Sequence, residues 1–225
     1  MSTLGAQRIV HAHVLVSPSG GAWGSLKLEQ GALPALGFAT LTLGDLSLVV
    51  SVVRSGYDAP ATPRVVVMGG AGWRTLLPAP GGAYASPNGV KLSTVLRDLA
   101  GLAGEPYDAP AEALLGPAYE WDAATPTQPV RARAILADLV TRGAVPTWRV
   151  TPGGRTRFDP WPALPAADQH VTLIGDRELE RGVRRFSVKG SVAALLPGAT
   201  ADGATIARVS FTEDSEKTEA RTWES

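Results

Sequence analysis

The segment between Arg8 and Met68 constrains the fold more than any other part of the chain. It holds five short apolar stretches, each ended by a turn signal. RIVHAHVLV (8–16) alternates with period two, the pattern of a half-buried strand. Ile9, His11, His13 and Leu15 are expected on one side of it, and Val10, Ala12, Val14 and Val16 on the other. PSGG (18–21) marks a hairpin turn leading into WGSLKLE, and FATLTLGDLSLVVSVVRSG (38–56) reads as two strands joined at Gly44-Asp45. RVVVM (64–68) is continuously apolar and is expected to be buried on both faces. So many strands in so little chain predict a small barrel or a sandwich. The 25 glycines and 18 prolines suit such a fold, because they supply its turns.

The period then changes. In SPNGVKLSTVLRDLAGLAGE, Leu92, Val95, Leu96, Leu99 and Leu102 share one helical face. Asn88 or Ser86 is expected to cap the start, and Gly104 to end the helix in the left-handed conformation. Forty residues on, Ala132, Ile135, Leu136 and Leu139 repeat the spacing and Gly143 closes it. Aligning Val90 with Val130 superposes VKLSTVLRDL on VRARAILADL, which suggests an internal repeat. TWRVTPGGRTRF is a strand, a Pro-Gly-Gly turn and a strand. DPWPALPAADQH is a proline-rich connector, and the remainder reads as a closing β unit. The expected class is α+β and β-rich, with small barrel or tube-like modules and two amphipathic helices. The expected division is 1–82 (N-terminal β-module), 83–165 (two helices and a hairpin) and 166–225 (C-terminal β-module).

Composition narrows the chemistry. Lys and Arg number 21, as do Asp and Glu, so no global pull toward nucleic acid or anionic membrane is expected. Cysteine is absent, which removes disulfides and thiolate chemistry. The N-terminus has no signal-peptide pattern, and no apolar window approaches the length of a membrane-spanning helix. His11 and His13 share a strand face, but the only other histidine is His170, and half-exposed strand histidines are the expected reading. MGGAGWR (68–74) resembles a nucleotide loop only faintly. Thr75 stands where a third glycine belongs and LLPAP follows instead of a helix, so a tight turn is expected.

Asp98 and Asp138 occupy equivalent helix positions beside Arg97 and Arg133, where surface pairing is a better expectation than catalysis. The six tryptophans could suggest carbohydrate stacking, but their spread along the chain favours core and interface anchoring. DRELERGVRR (176–185) mixes both signs. Asp176, Arg177, Glu178, Glu180, Arg181, Arg184 and Arg185 are its candidate subunit-interface residues, matching acid to arginine across a contact. No catalytic residue, cofactor or metal is expected.

VVVMGGAGWRTLLPAPGGAYASPNGVKLSTVLRDLAGLAGE resembles the central part of the tail or baseplate hub proteins of phages and related contractile machines. There a strand and Gly-rich turn, a W-x-x-L-x-P segment and a helix V-x-L-x-x-V-L-x-D-L-A…G-E follow one another. ARAILADLVTRGAVPTWRVTPGGRTRF is similar to their second helix and hairpin, and LLPGATADGATIARVSF to their terminal β segment. The resemblance covers roughly residues 38–215. It implies a structural part of the virion tail: a trimeric ring with two tube-like β-domains per chain, joining tail tube to central spike. The implied partners are further copies of the chain and the tube and spike proteins, with no membrane and no sequence-specific nucleic acid. Hub proteins are commonly longer, which suggests missing accessory domains or an adaptor role. The alternatives are a cell-wall hydrolase or a carbohydrate-binding β-module of the same machine. Open strand edges in 8–68 and 171–223 are a hazard for a monomer, so edge pairing between subunits is expected.

Overall fold

The computed structural model of the chain describes residues 2–59, 61–77, 82–121, 130–174, 182–214 and 217–224. Six strands come first: β1 (Thr3–Leu4), β2 (Gln7–Val16), β3 (Trp23–Leu28), β4 (Gly37–Leu43), β5 (Leu46–Ala59) and β6 (Thr62–Met68). A 3-10 turn (Ala71–Arg74), β7 (Gly82–Ala85), α1 (Leu92–Ala103), β8 (Ala118–Trp121) and α2 (Ala132–Thr141) follow. After these come β9 (Arg149–Val150), β10 (Thr156–Arg157), β11 (Val171–Leu173), β12 (Val183–Val188), β13 (Thr200–Ala201), β14 (Ala204–Glu213) and β15 (Thr218–Glu224). Contacts gather these elements into two units. One comprises Met1–Gly69, Pro152–Gly154 and Trp161–Ser225, the other Gly70–Thr151 and Arg155–Pro160.

In the first unit the order β1-β4-β5-β6-β3-β2 closes on itself through β1–β2, giving a six-stranded barrel. β2 then does double duty. Its start pairs with β1, while residues 12–16 pair with residues 209–213 of β14, and the sheet continues through β15 and β12 to β11. The N- and C-terminal β-modules separated in the sequence reading therefore share one sheet. Ala12, Val14, Leu26, Leu28, Leu41, Leu43 and Phe211 lie in its core with no measurable exposure. Closure also removes the open edges expected in 8–68, leaving β11 at the end of the main strand order and β13 as a short branch on β14 among the described strands.

Two strand expectations need correction. A bulge between Ile9 and His11 shifts the alternation of β2, so Ile9 joins Ala12, Val14 and Val16 inside while Val10 is turned out. β6 is not buried on both faces: Val65 and Val67 point inward, but Arg64 is exposed and Val66 only partly covered. Its other face is uncovered because β6 belongs to a barrel rather than to a layer packed on both sides.

The second unit is built on the ribbon β7–β8, in which Tyr84 pairs with Tyr119. Leu92, Val95, Leu96 and Leu99 of α1 and Ala132, Leu136 and Leu139 of α2 are fully buried with Trp73 and Tyr119. The shared spacing thus places Leu96 and Leu136 alike in one core. Neither Asn88 nor Ser86 caps α1. Lys91 is its first flanking residue, and the Ser93 N–H donates to Glu112 Oε1 at 3.1 Å. Gly104 ends α1 in the left-handed conformation, and Gly143 follows α2 in the same one.

Candidate functional site

The charged stretch singled out in the sequence begins after β11 and runs into β12. Asp176, Arg177, Glu178, Glu180 and Arg181 lie outside the described residues. The two arginines that are described differ sharply. Arg184 faces inward and is 7% exposed. Its Nη1 donates to the Ala201 carbonyl at 3.0 Å and to that of Asp202, and its guanidinium pairs with Asp202 at 3.1 Å and Glu224 at 2.9 Å. That network ties β12, the β13–β14 turn and β15 together. Arg185, one residue on, faces outward and meets Glu219 at 2.5 Å, which also holds Lys217 at 2.8 Å. These hydrogen bonds from Lys217 and Arg185 hold the Glu219 carboxyl below its ordinary range. Period-two alternation is what separates the neighbours: position 184 belongs to the core face and 185 to the surface.

The other chemistry-bearing residues also find definite places. His13 Nε2 and Ser210 Oγ lie 2.9 Å apart across the β2–β14 pairing. A serine nucleophile also needs amide donors for the developing oxyanion. The amides around Ser210 belong to strand ladders on both sides, so the contact works as a cross-strand hydrogen bond. Among the described residues no three His, Asp or Glu side chains group closely enough to hold a metal ion.

MGGAGWR is a tight turn with a structural reason for its glycines. Gly70 has φ 65°, and a Cβ on Gly72 would lie 2.0 Å from the Ala103 carbonyl oxygen. The Gly72 N–H donates to Glu105 Oε1 at 2.5 Å. Burial pushes the Glu105 carboxyl above its ordinary value, against the opposing effect of that hydrogen bond.

Asp98 and Asp138 are acceptors for tyrosines. Tyr84 Oη donates to Asp98 at 3.2 Å, and Tyr119 Oη to Asp138 at 2.9 Å. Burial, then the Asp98 charge, pushes Tyr84 up to about 12, and burial with the Asp138 hydrogen bond raises Tyr119 as well. Both phenols therefore stay protonated and hold the helices to the ribbon. Arg133 does not pair with Asp138. Arg142 does, at 2.7 Å, because the i,i+4 spacing brings it alongside.

The sequence reading missed the outward row of β14 and β15. Arg208, Ser210 and Thr212 alternate with core residues, as do Glu219, Arg221 and Trp223. The same alternation that identified β2 could have found them.

No family model and no curated protein sequence matches the chain. Solved structures do. The 43 kDa tail protein of prophage MuSo2 from Shewanella oneidensis aligns with TM-score 0.61 at 12% identity, over 100% of this chain and 96% of that one. The E. coli c3393 protein aligns with TM-score 0.56 at 9% identity, over 99% of this chain and 75% of its own. The latter is described as a component of the type VI secretion system with structural similarity to the T4 bacteriophage tail proteins gp27 and gp5.

Proposed function

We propose that this chain is a structural part of the baseplate of a phage or phage-like contractile tail, a hub subunit that joins the tail tube to the central spike. The observation that carries this reading is a likeness of fold running the full length of the chain, to a prophage tail protein and to a secretion-system component likened to tail proteins. The sequence resemblance across residues 38–215 points the same way. In this reading the protein works by assembly rather than catalysis, resides in the virion tail and forms a homotrimeric ring. β11 ends the sheet with one side unpaired among the described strands, and it leads directly into residues 176–181. A neighbouring subunit that adds to this edge would lie one strand away from Arg185, and Asp176, Arg177, Glu178, Glu180 and Arg181 are proposed from the sequence alone to match a partner's charges.

Cryo-electron microscopy of the intact particle tests the proposal. The expected result is three copies between tube and spike, with residues 171–185 against another chain. A particle in which residues 171–223 touch no other chain would overturn the interface. Zymography on peptidoglycan tests the non-catalytic role, and a cleared band lost on replacing a single Asp or Glu would overturn that part.

A further inference from the structure

The fifth strand is broken twice, and a depression opens between the breaks. β5 pairs with β6 through two register shifts, one between Val52 and Arg54 and one between Tyr57 and Ala59. A bulge re-aims the side chains that follow it. The first turns Arg54 outward, opposite Val66, where unbroken alternation from the buried Val52 would have sent it into the barrel. It places Gly56 outward as well, opposite Arg64. The second leaves Asp58 without a cross-strand partner, and its carboxylate turns to Lys27 at 2.8 Å and Arg64 at 3.6 Å. Arg54, Gly56, Tyr57 and Asp58 lie between the bulges and line one side of a depression of about 560 Å³. That volume falls in the range of small-ligand sites, about 300–1,000 Å³. Arg64 and Val66 of β6 and Trp23 and Ser25 of β3 complete it.

The ends of the depression are aromatic. Trp23, 39% exposed, is held by an edge-to-face contact with His13, ring centroids 6.3 Å apart. Tyr57, 55% exposed, stands at the far end, its Oη reaching the Gly31 carbonyl at 3.4 Å. Trp23 lies opposite Met68 and Tyr57 opposite Pro63, so about 16 Å of strand separates the two rings. The floor between them is low. A Cβ on Gly56 would meet nothing within 4 Å, so the missing side chain leaves open space. Asp58 is the one carboxylate among the described lining residues, and Lys27 and Arg64 already share it. Lys27 keeps that carboxyl below its ordinary range, so it remains an acceptor at neutral pH. Arg54 is exposed and has no carboxylate partner among the described residues.

We propose that this depression binds a short oligosaccharide bearing a carboxylate. Sugar rings present C–H faces that pack against exposed aromatic rings, and Trp23 and Tyr57 offer one at each end. Sugar hydroxyls need donors and acceptors together, which Ser25, Arg64 and the Asp58 carboxylate supply. The Arg54 guanidinium presents parallel N–H donors, a fork that fits a sugar carboxylate bidentately. A protein partner fits less well. Interface cores are depleted of charge, whereas here Arg54 and Arg64 lie between the two rings. The inference rests on this depression alone and is independent of the hub reading.

Isothermal titration of the full chain with tetragalacturonate tests it. Saturable binding of one molecule per chain is expected, with a dissociation constant below about 1 mM. Gly56→Leu should weaken it at least about tenfold, because the new Cβ meets nothing and the rest of the side chain fills the depression. Tyr57→Ala should do the same, whereas Tyr57→Phe, which keeps the ring, should bind as wild type. Arg54→Gln should abolish the preference for tetragalacturonate over neutral cellotetraose. Phe38→Ser, at an exposed aromatic outside the depression, should change nothing. Arg54 has no carboxylate partner to lose, so its variant reports on binding even if Gly56→Leu fails to fold. No saturation by about 10 mM would overturn the proposal, as would full-strength binding by a folded Gly56→Leu variant. Equal binding of tetraglutamate would overturn it as well, by reducing the effect to charge. Self-association of the free chain, abolished by Gly56→Leu, would reassign the depression to a second copy.

Discussion

The two halves of the helical unit use one plan with unequal finish. In each, a short extended segment leads into a helix whose apolar face is buried, and an aspartate on that helix accepts a tyrosine hydroxyl from the β7–β8 ribbon. The leading segments are exchanged between the halves: residue 90 bonds to 115 and 116, and residue 130 to 77. Both helices end in the same pattern of hydrogen bonds, Glu105 N–H to Ala100 O and Ala144 N–H to Leu139 O. At that matched position one half has a buried carboxylate and the other an alanine. Tyr119 is nearly inaccessible, whereas Tyr84 is half-buried. What the halves share is what a helix needs to dock on a ribbon. What differs is what each meets in the rest of the core.

The sharpest way to break the comparison is through its matched leucines. Leu96→Ala and Leu136→Ala should each cost about 2–5 kcal/mol in denaturant unfolding. One variant near zero would end the equivalence of the helices. Removing the hydroxyls comes next. Tyr119→Phe should cost about 1.5–3 kcal/mol, because a buried donor to a carboxylate is lost, and Tyr84→Phe about 0.5–1.5 kcal/mol at its longer, wetter contact. Equal costs would mean that burial does not set the difference.

Glu105 predicts a pH signature that the alanine half lacks. Its folded carboxyl is raised by burial, so its contribution is fully present below the unfolded value near 4.5 and is lost as pH rises through the folded value. Wild type should therefore lose stability relative to Glu105→Gln as pH rises above 4.5, followed by thermal melts. A constant gap would show that Glu105 does not titrate differently in the two states. The smallest effect is expected at Glu112, an exposed carboxylate that accepts from Ser93 N–H and Oγ at the start of α1. Glu112→Gln should leave the melting temperature almost unchanged and speed hydrogen exchange at the Ser93 amide. A melting shift as large as that of Tyr119→Phe would contradict the ranking.

Local pattern determined much of this protein. Period two located β2 through β6, period 3.6 located both helices, and Gly104 and Gly143 marked their ends, because these signals depend on neighbours within a few residues. The resemblance in residues 38–215 likewise named a tail-protein fold that the solved structures match. Other features came from partners distant in sequence. The bulge after Ile9 inverts the start of β2, and Glu112 replaces the expected caps Asn88 and Ser86 from 19 residues away. The merger of two β-modules depends on β2 pairing with β14 nearly 200 residues later. Cross-strand neighbours were hidden for the same reason: Lys27 and Arg64, or Arg185 and Arg221, meet only when strand register sets them opposite one another. Composition adds charges along the chain and reports zero. Electrostatics instead acts over the few ångströms that the sheet decides, where Asp58 lies 2.8 Å from Lys27 and Glu219 2.5 Å from Arg185.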